Sequence, residues 1–181
     1  MGYQTKMLAI DLAALRGAVG SKDSALLTQL TDESTERLAS HDEWFEDEIA
    51  AGAPSLLDAL RALIEGDTLD EKHGFAYGYA LEMLCDKLGT EIGDPESIPA
   101  FFSDLKIKTA LSEGDHRLPV PIPKPKDFPG IGYLTRDEMQ QEIEAFAAVE
   151  AKYDESDPEA CFIAALREAC EMERDLVTFT Y

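Results

Sequence analysis

The sequence predicts an α+β fold, predominantly helical, with a small sheet that takes in both the N-terminal and the C-terminal strand. Three observations carry this. Residues 3–10 (YQTKMLAI) and 176–181 (LVTFTY) are short, rich in β-branched, aromatic and aliphatic side chains, and bounded by polar residues. The chain between them repeats apolar residues at helical spacing. A lone terminal strand is not stable, so the economical arrangement pairs the two ends in one sheet covered by the helices. At 181 residues a single domain over 1–181 is expected. A chain of that size buries ~70% of its unfolded surface and needs no disulfide or metal staple.

The elements follow in order. Asp11 is a good N-cap for a short helix over residues 12–19, which Gly20 ends. Ser21 caps a second helix reaching Leu30. In the acidic stretch 32–49, Leu38, His41, Phe45 and Ile49 recur at helical spacing. Gly52-Ala53-Pro54 breaks the chain, and Ser55 opens a helix whose apolar face is Leu56, Leu57, Leu60, Leu63 and Ile64, closed by Gly66. Thr68 to Glu71 reads as a capping box, placing a helix over 69–88. Phe75, Tyr79 and Met83 lie on one side of it and Tyr77, Leu81, Leu84 and Leu88 on the other, the pattern of a central, buried helix. Gly74 and Gly78 allow a neighbouring backbone to approach it closely.

Residues 98–111 suggest one more helix. Pro119, Pro121, Pro123 and Pro125 then alternate with other residues, which forbids helix and leaves an extended connector or an edge strand. Between Asp127 and Thr135, Gly130 and Gly132 suggest a turn, with Phe128, Ile131 and Leu134 anchoring it. Thr135 to Glu138 is a second capping box, opening a helix to about residue 153. Asp157-Pro158-Glu159 starts the last helix, with Pro at its favoured first position.

Charge bounds the function. There are 37 acidic residues against 16 basic ones, a formal net charge of −21. A field of that sign repels nucleic acid and anionic membrane surfaces and steers basic partners inward. The acids are densest between Thr31 and Asp58, where nine stand against Arg37 alone. From Lys106 to Lys126 the balance reverses, with five bases and two acids in the proline-bearing stretch. No apolar run approaches the ~20 residues of a membrane span. The N-terminus lacks an apolar signal-peptide core, and the three cysteines read as reduced thiols, so a cytoplasmic location is expected.

No known catalytic signature is present: no P-loop, nucleophile elbow, Gly-rich dinucleotide fingerprint or calcium loop. Cys161 and Cys170, nine residues apart on one helix, point to opposite faces at ~100° per residue. His41, His73 and His116 fall in different elements, without metal-ligand spacing. Neither a metal nor a cofactor is therefore assigned. Two candidate sites remain. Asp42, Glu43, Glu46 and Asp47 form an acidic helix surface suited to a basic protein partner. His73, Tyr77, Tyr79 and Tyr133 are candidates for a small-molecule pocket, although core aromatics with satisfied hydroxyls explain the tyrosines as well.

The run Asp127-Phe-Pro-Gly-Ile-Gly-Tyr-Leu-Thr135, with Gly2-Tyr3-Gln4, Val19-Gly-Ser-Lys-Asp23 and Gly74-Phe-Ala-Tyr-Gly-Tyr-Ala-Leu-Glu82, resembles an uncharacterised bacterial family of unknown function over most of the chain. The segment 119–150 is also similar to YfbM-like domains. The resemblance implies a bacterial, cytoplasmic single domain and carries no mechanism. The leading functional expectation is thus a non-enzymatic interaction module, in one version a toxin-neutralising, immunity-like protein whose carboxylates take the place of phosphates. The alternative is a small-molecule binder or enzyme using the pocket candidates. A third explanation makes the acidity an adaptation to a salty habitat.

Overall fold

The two chain ends are neighbours in one antiparallel sheet, as their composition predicts. In the computed structural model, which describes residues 4–93, 117–126 and 128–181, there are four paired strands: β1 (Thr5–Ile10), β2 (Thr90–Ile92), β3 (Gly130–Leu134) and β4 (Asp175–Thr180). Their order is β2-β1-β4-β3. Thr5 faces Thr180 and Ala9 faces Leu176, and Gly132 faces Thr178 in the next ladder. Eight α-helices are described: α1 (Leu12–Ala18), α2 (Ser24–Glu33), α3 (Thr35–Trp44), α4 (Glu46–Ala50), α5 (Leu56–Glu65), α6 (Gly74–Leu88), α7 (Arg136–Ala147) and α8 (Pro158–Glu171). The fold is α+β and predominantly helical. Among the described residues no helix is long and apolar enough to cross a membrane.

The chain divides into two compact units. A sheet unit contains the four strands, α7 and α8. A helical unit runs from Ala13 to Leu88 and takes in Val120–Phe128. In the sheet unit, Met7, Ala9, Ile92, Leu134 and Leu176 share a buried cluster with Met139 and Phe146 of α7 and Phe162, Ile163 and Leu166 of α8. Alternation along the strands puts these side chains on one face. The Thr135 capping box forms as predicted, with the hydroxyl taking the Glu138 N–H and the Glu138 carboxylate taking the Thr135 N–H. Helix α7 stops at Ala147, and a short 3₁₀ turn (Glu150–Lys152) follows. Pro158 opens α8 behind Asp157, also as predicted.

Residues 130–134 correct the sequence reading. They form an edge strand on β4 instead of a turn, and neither Gly130 nor Gly132 takes a left-handed conformation. Ile131 and Leu134 are buried, but Phe128 is 44% exposed and anchors no core. Strand β2 was not foreseen, because three residues carry too little alternation to register. The helix expected over 98–111 lies outside the described residues.

The helical unit keeps its predicted punctuation with three adjustments. Asp23, not Ser21, caps α2, taking the N–H groups of Ala25 and Leu26 at 3.0 Å. The acidic stretch is broken at Ser34 and Phe45 into short successive helices. Helix α6 begins at Gly74, not residue 69; Asp70 caps a 3₁₀ turn (Glu71–His73) ahead of it. Ser55 and Gly66 bound α5 as expected, with Gly66 left-handed at φ +75°. Around the middle of α6, Tyr77, Ala80, Leu81, Met83, Leu84 and Cys85 are all buried, as a helix apolar on both sides requires. The described proline stretch is neither helix nor strand; it bends at residues 119–121, where the Ile122 N–H donates to the Val120 carbonyl at 3.0 Å, and Val120 and Ile122 are buried.

Candidate functional site

The junction of α3 and α4 positions two surfaces of the helical unit. Leu38 and His41, one turn apart, face inward and are buried. The His41 ring meets Tyr79 edge-on at 4.2 Å between centroids and lies 4.7 Å from Phe45. Burial pushes the His41 pKa down, and the Arg37 charge adds to this, while Asp42 and Glu82 oppose it. The Tyr79 hydroxyl is pushed up, by burial first and by the Glu82 charge second. Arg37 reaches across to α6, donating to buried Glu82 at 2.8 Å and pairing with Asp86. This ties the acidic element to the central helix.

On the outer side the same helices carry the predicted acidic surface. Glu43, Glu46 and Asp47 are exposed. Asp42 is half-buried, and its carboxylate accepts the Leu56 N–H at 2.8 Å, so it caps α5 from outside the helix. Among these acids stands Trp44, 76% exposed. An indole is a large apolar surface to leave in water, and an isolated helix face gives no packing reason for it.

Beside this ridge is a cavity of about 310 Å³. Its aromatic wall is Phe45 from the α3–α4 junction, Phe75 and Tyr79 one turn apart on α6, and Phe128 from the loop after the prolines. Phe45 lies 4.9 Å from Phe75 and 5.6 Å from Tyr79 between ring centroids. Lys72, Lys126 and Glu48 supply the polar part of the lining. Gly74 makes the loop's approach possible, because a Cβ there would sit 2.5 Å from the Lys124 carbonyl oxygen. A wider hollow of about 490 Å³ lies against Pro121, Ile122 and Pro123, but its lining is aliphatic, with the carboxylates of Asp67 and Glu71. It offers a ligand shape without a convergent set of polar groups, so the aromatic cleft is the better candidate.

The four pocket candidates separate. Tyr79 lines the cleft. His73 stands next to it in sequence order, its ring edge-on to Phe75 at 6.5 Å and its Nδ1 3.4 Å from the Asp70 carboxylate. Tyr77 turns into the core at 5% exposure, where its hydroxyl accepts the Asp70 N–H at 3.1 Å. Tyr133 belongs to β3 in the sheet unit, with the Arg117 guanidinium 4.5 Å over its ring. Arg117 also pairs with Glu138 at 2.8 Å. Burial works against the Glu138 charge, but hydrogen bonds from Arg117 and Thr135 outweigh it and hold the carboxyl below its ordinary range.

Sequence reasoning missed Phe45, Lys72, Lys126 and Phe128 as members of one site. Phe75 and Tyr79 at i, i+4 were visible as a pair, but nothing in the sequence placed Lys126 and Phe128 against them. None of the three cysteines is in a disulfide: Cys85 is buried, while Cys161 and Cys170 are half-buried on α8. Burial raises the Cys170 pKa, against the opposing Arg136 charge. Among the described residues no group of three His, Cys, Asp or Glu side chains is arranged to hold a metal.

Comparison with curated proteins and with solved structures finds no match in either. A family profile does match, over residues 1–181, and on that full-length match the chain belongs to the family described as domain of unknown function DUF7691.

Proposed function

We propose that this protein is a non-enzymatic interaction module that binds a basic protein surface through the ridge of α3 and α4. The observation that carries this reading is Trp44, 76% exposed in the most acidic part of the chain. Binding energy at protein interfaces concentrates in a few aromatic and arginine anchors, with Trp prominent among them. Charges around such an anchor set the encounter rate and the choice of partner more than the affinity. Glu43, Glu46 and Asp47 around one indole thus favour a partner with a Lys- or Arg-rich surface and a pocket for a ring. Asp42 contributes to the field while holding α5 in place.

The partner class that fits is a protein whose own ligand is a polyanion, since carboxylates then take the place of phosphates. The immunity-like version, masking of a nucleic-acid-cleaving toxin, is one member of that class. We read the chain as one domain over 1–181 acting in the cytoplasm, where its three cysteines, none in a disulfide, stay reduced. Nucleic acid and anionic membranes are disfavoured ligands at a net charge of −21.

The test is affinity capture from a lysate of the source organism on immobilised wild type, Trp44→Ala and Glu43→Lys/Glu46→Lys/Asp47→Lys protein. The expected result is a basic protein held at low salt, released at high salt, and absent from both variants. Equal capture by wild type and variants, or no salt-sensitive basic partner, contradicts the proposal. Equal acidity across unrelated proteins of that organism, with no partner captured, would favour habitat as the cause of the charge.

A further inference from the structure

The aromatic cleft beside the ridge carries a different chemistry from the ridge itself. Its wall is four aromatic side chains drawn from three separate parts of the helical unit, around about 310 Å³. That volume is at the lower end of small-molecule pockets, roughly 300–1,000 Å³, and suits one substituted ring. Aromatic surface left open in this way gains by taking a planar apolar group edge-on or offset-stacked. Phe128 shows that the surface is open, at 44% exposure.

The polar lining gives the ligand its charge. Lys72 and Lys126 both reach the cleft. In a chain with 37 acids and 16 bases, many of the cations are neutralised by carboxylates. Arg37, Arg61, Lys87, Arg117, Arg167 and Arg174 all sit in ion pairs. Among the described residues, Lys72 and Lys126 pair with none, although Glu48 lines the same cavity. Two like charges held near one opening repel each other, and an anion placed between them relieves that repulsion and gains charge-assisted hydrogen bonds. The backbone of Pro123 and Lys124, just ahead of Lys126 in the chain, passes over Gly74, where a Cβ would sit 2.5 Å from the Lys124 carbonyl oxygen. The end of the proline stretch that leads into Lys126 is thus seated on α6 by close packing.

We propose that this cleft is a binding site for a small aromatic carboxylate. The ring lies among Phe45, Phe75, Tyr79 and Phe128, and the carboxylate is held by Lys72 and Lys126. Glu48 opposes the ligand's charge and tunes selectivity: a simple carboxylate binds more tightly once Glu48 is neutralised. The cleft borrows Phe45 and Glu48 from the ridge, but none of Glu43, Trp44, Glu46 and Asp47 lines it.

The test is ligand-observed NMR and calorimetry with phenylacetate on the full chain, with phenylacetamide as the neutral analogue of the same shape. Saturable phenylacetate binding is expected with a dissociation constant below about 1 mM, with phenylacetamide at least about tenfold weaker. Lys126→Gln, on an exposed loop residue, should weaken phenylacetate about tenfold without changing the melting curve, and Glu48→Gln should tighten it. Lys72→Met/Lys126→Met should abolish binding. Trp44→Ala should leave it unchanged, which separates this site from the ridge. No saturation by about 5 mM phenylacetate, equal binding of phenylacetamide, or full affinity in Lys126→Gln would overturn the proposal.

Discussion

The two units solve the same problem, what to do with aromatic side chains, in opposite ways. In the sheet unit Phe146, Phe162 and Phe179 are buried and Tyr133 lies under the Arg117 guanidinium. In the helical unit Phe75 and Tyr79 are only half-buried, while Phe128 and Trp44 are exposed. In the first case Phe179 is fixed by strand pairing, since every residue of β1 and β4 faces a partner, while Phe146 and Phe162 are packed into the cluster between the sheet and its helices. The second is built from short helices joined at Ser34, Phe45 and the turn before Gly74, and each junction directs a side chain outward or into a cleft. The difference teaches where to look for chemistry: rings that packing does not require are available to ligands.

The largest test of this contrast strikes the filled unit. Phe162 is fully buried, and Phe162→Ala should cost ~3–5 kcal/mol from lost contacts and the cavity left behind. Urea unfolding followed by far-UV circular dichroism and by Trp44 emission would read it. The single-domain reading requires the two signals to move together, although Trp44 is in the other unit. Separate transitions would show that the units unfold independently.

A smaller loss comes from the tie between α3 and α6. Arg37→Met removes the cation that buried Glu82 meets at 2.8 Å. Complete burial of the pair would make this ~3–5 kcal/mol, but Arg37 is partly solvated, so about 2 kcal/mol is expected. Adding Glu82→Gln should recover much of the loss in a double-mutant cycle. On the sheet side, Thr135→Ala removes one half of the capping box and should cost ~1 kcal/mol in chemical denaturation.

Acid separates the units more gently. His41 has its pKa lowered in the folded state, so the neutral form is favoured there. Its contribution is fully present above the unfolded pKa of ~6.5 and is lost as pH falls below that toward the folded value. Stability measured from pH 7.5 down to 5 should therefore decline in wild type, and His41→Phe should flatten that decline. The same slope in both proteins would mean that His41 is not its source. The smallest effect is the functional one: Trp44→Ala should change stability by less than ~0.5 kcal/mol, since the indole is in water.

Much of the fold was legible because local signals agreed. The β1–β4 pair, the Ser55 and Gly66 boundaries of α5, the Thr135 capping box and Pro158 at the start of α8 each combine a propensity with a cap. What failed depended on distant partners. Gly130 and Gly132 look like turn residues until β4, some forty residues later, supplies a ladder. Asp23 displaced Ser21 because Lys22 takes a left-handed conformation, φ +59°, and delays the helix. The box at Thr68 was not used because Asp70 caps the intervening 3₁₀ turn. At the site, the acidic ridge was readable from composition, and Tyr79 from its spacing to Phe75. The packing of Pro123 and Lys124 over Gly74, with Lys126 and Phe128 in the cleft, was not, because it joins positions some fifty residues apart.

Trp44 is the sole tryptophan in the chain, so its emission reports on the ridge without a label. The most direct test of the account is to titrate the captured basic protein against wild-type and Glu43→Lys/Glu46→Lys/Asp47→Lys protein while recording that emission. The account predicts a saturable shift to shorter wavelength in wild type as the indole leaves water, weakening with salt and missing in the charge-reversed protein. Binding that leaves the Trp44 emission unchanged, or that survives charge reversal, would contradict it.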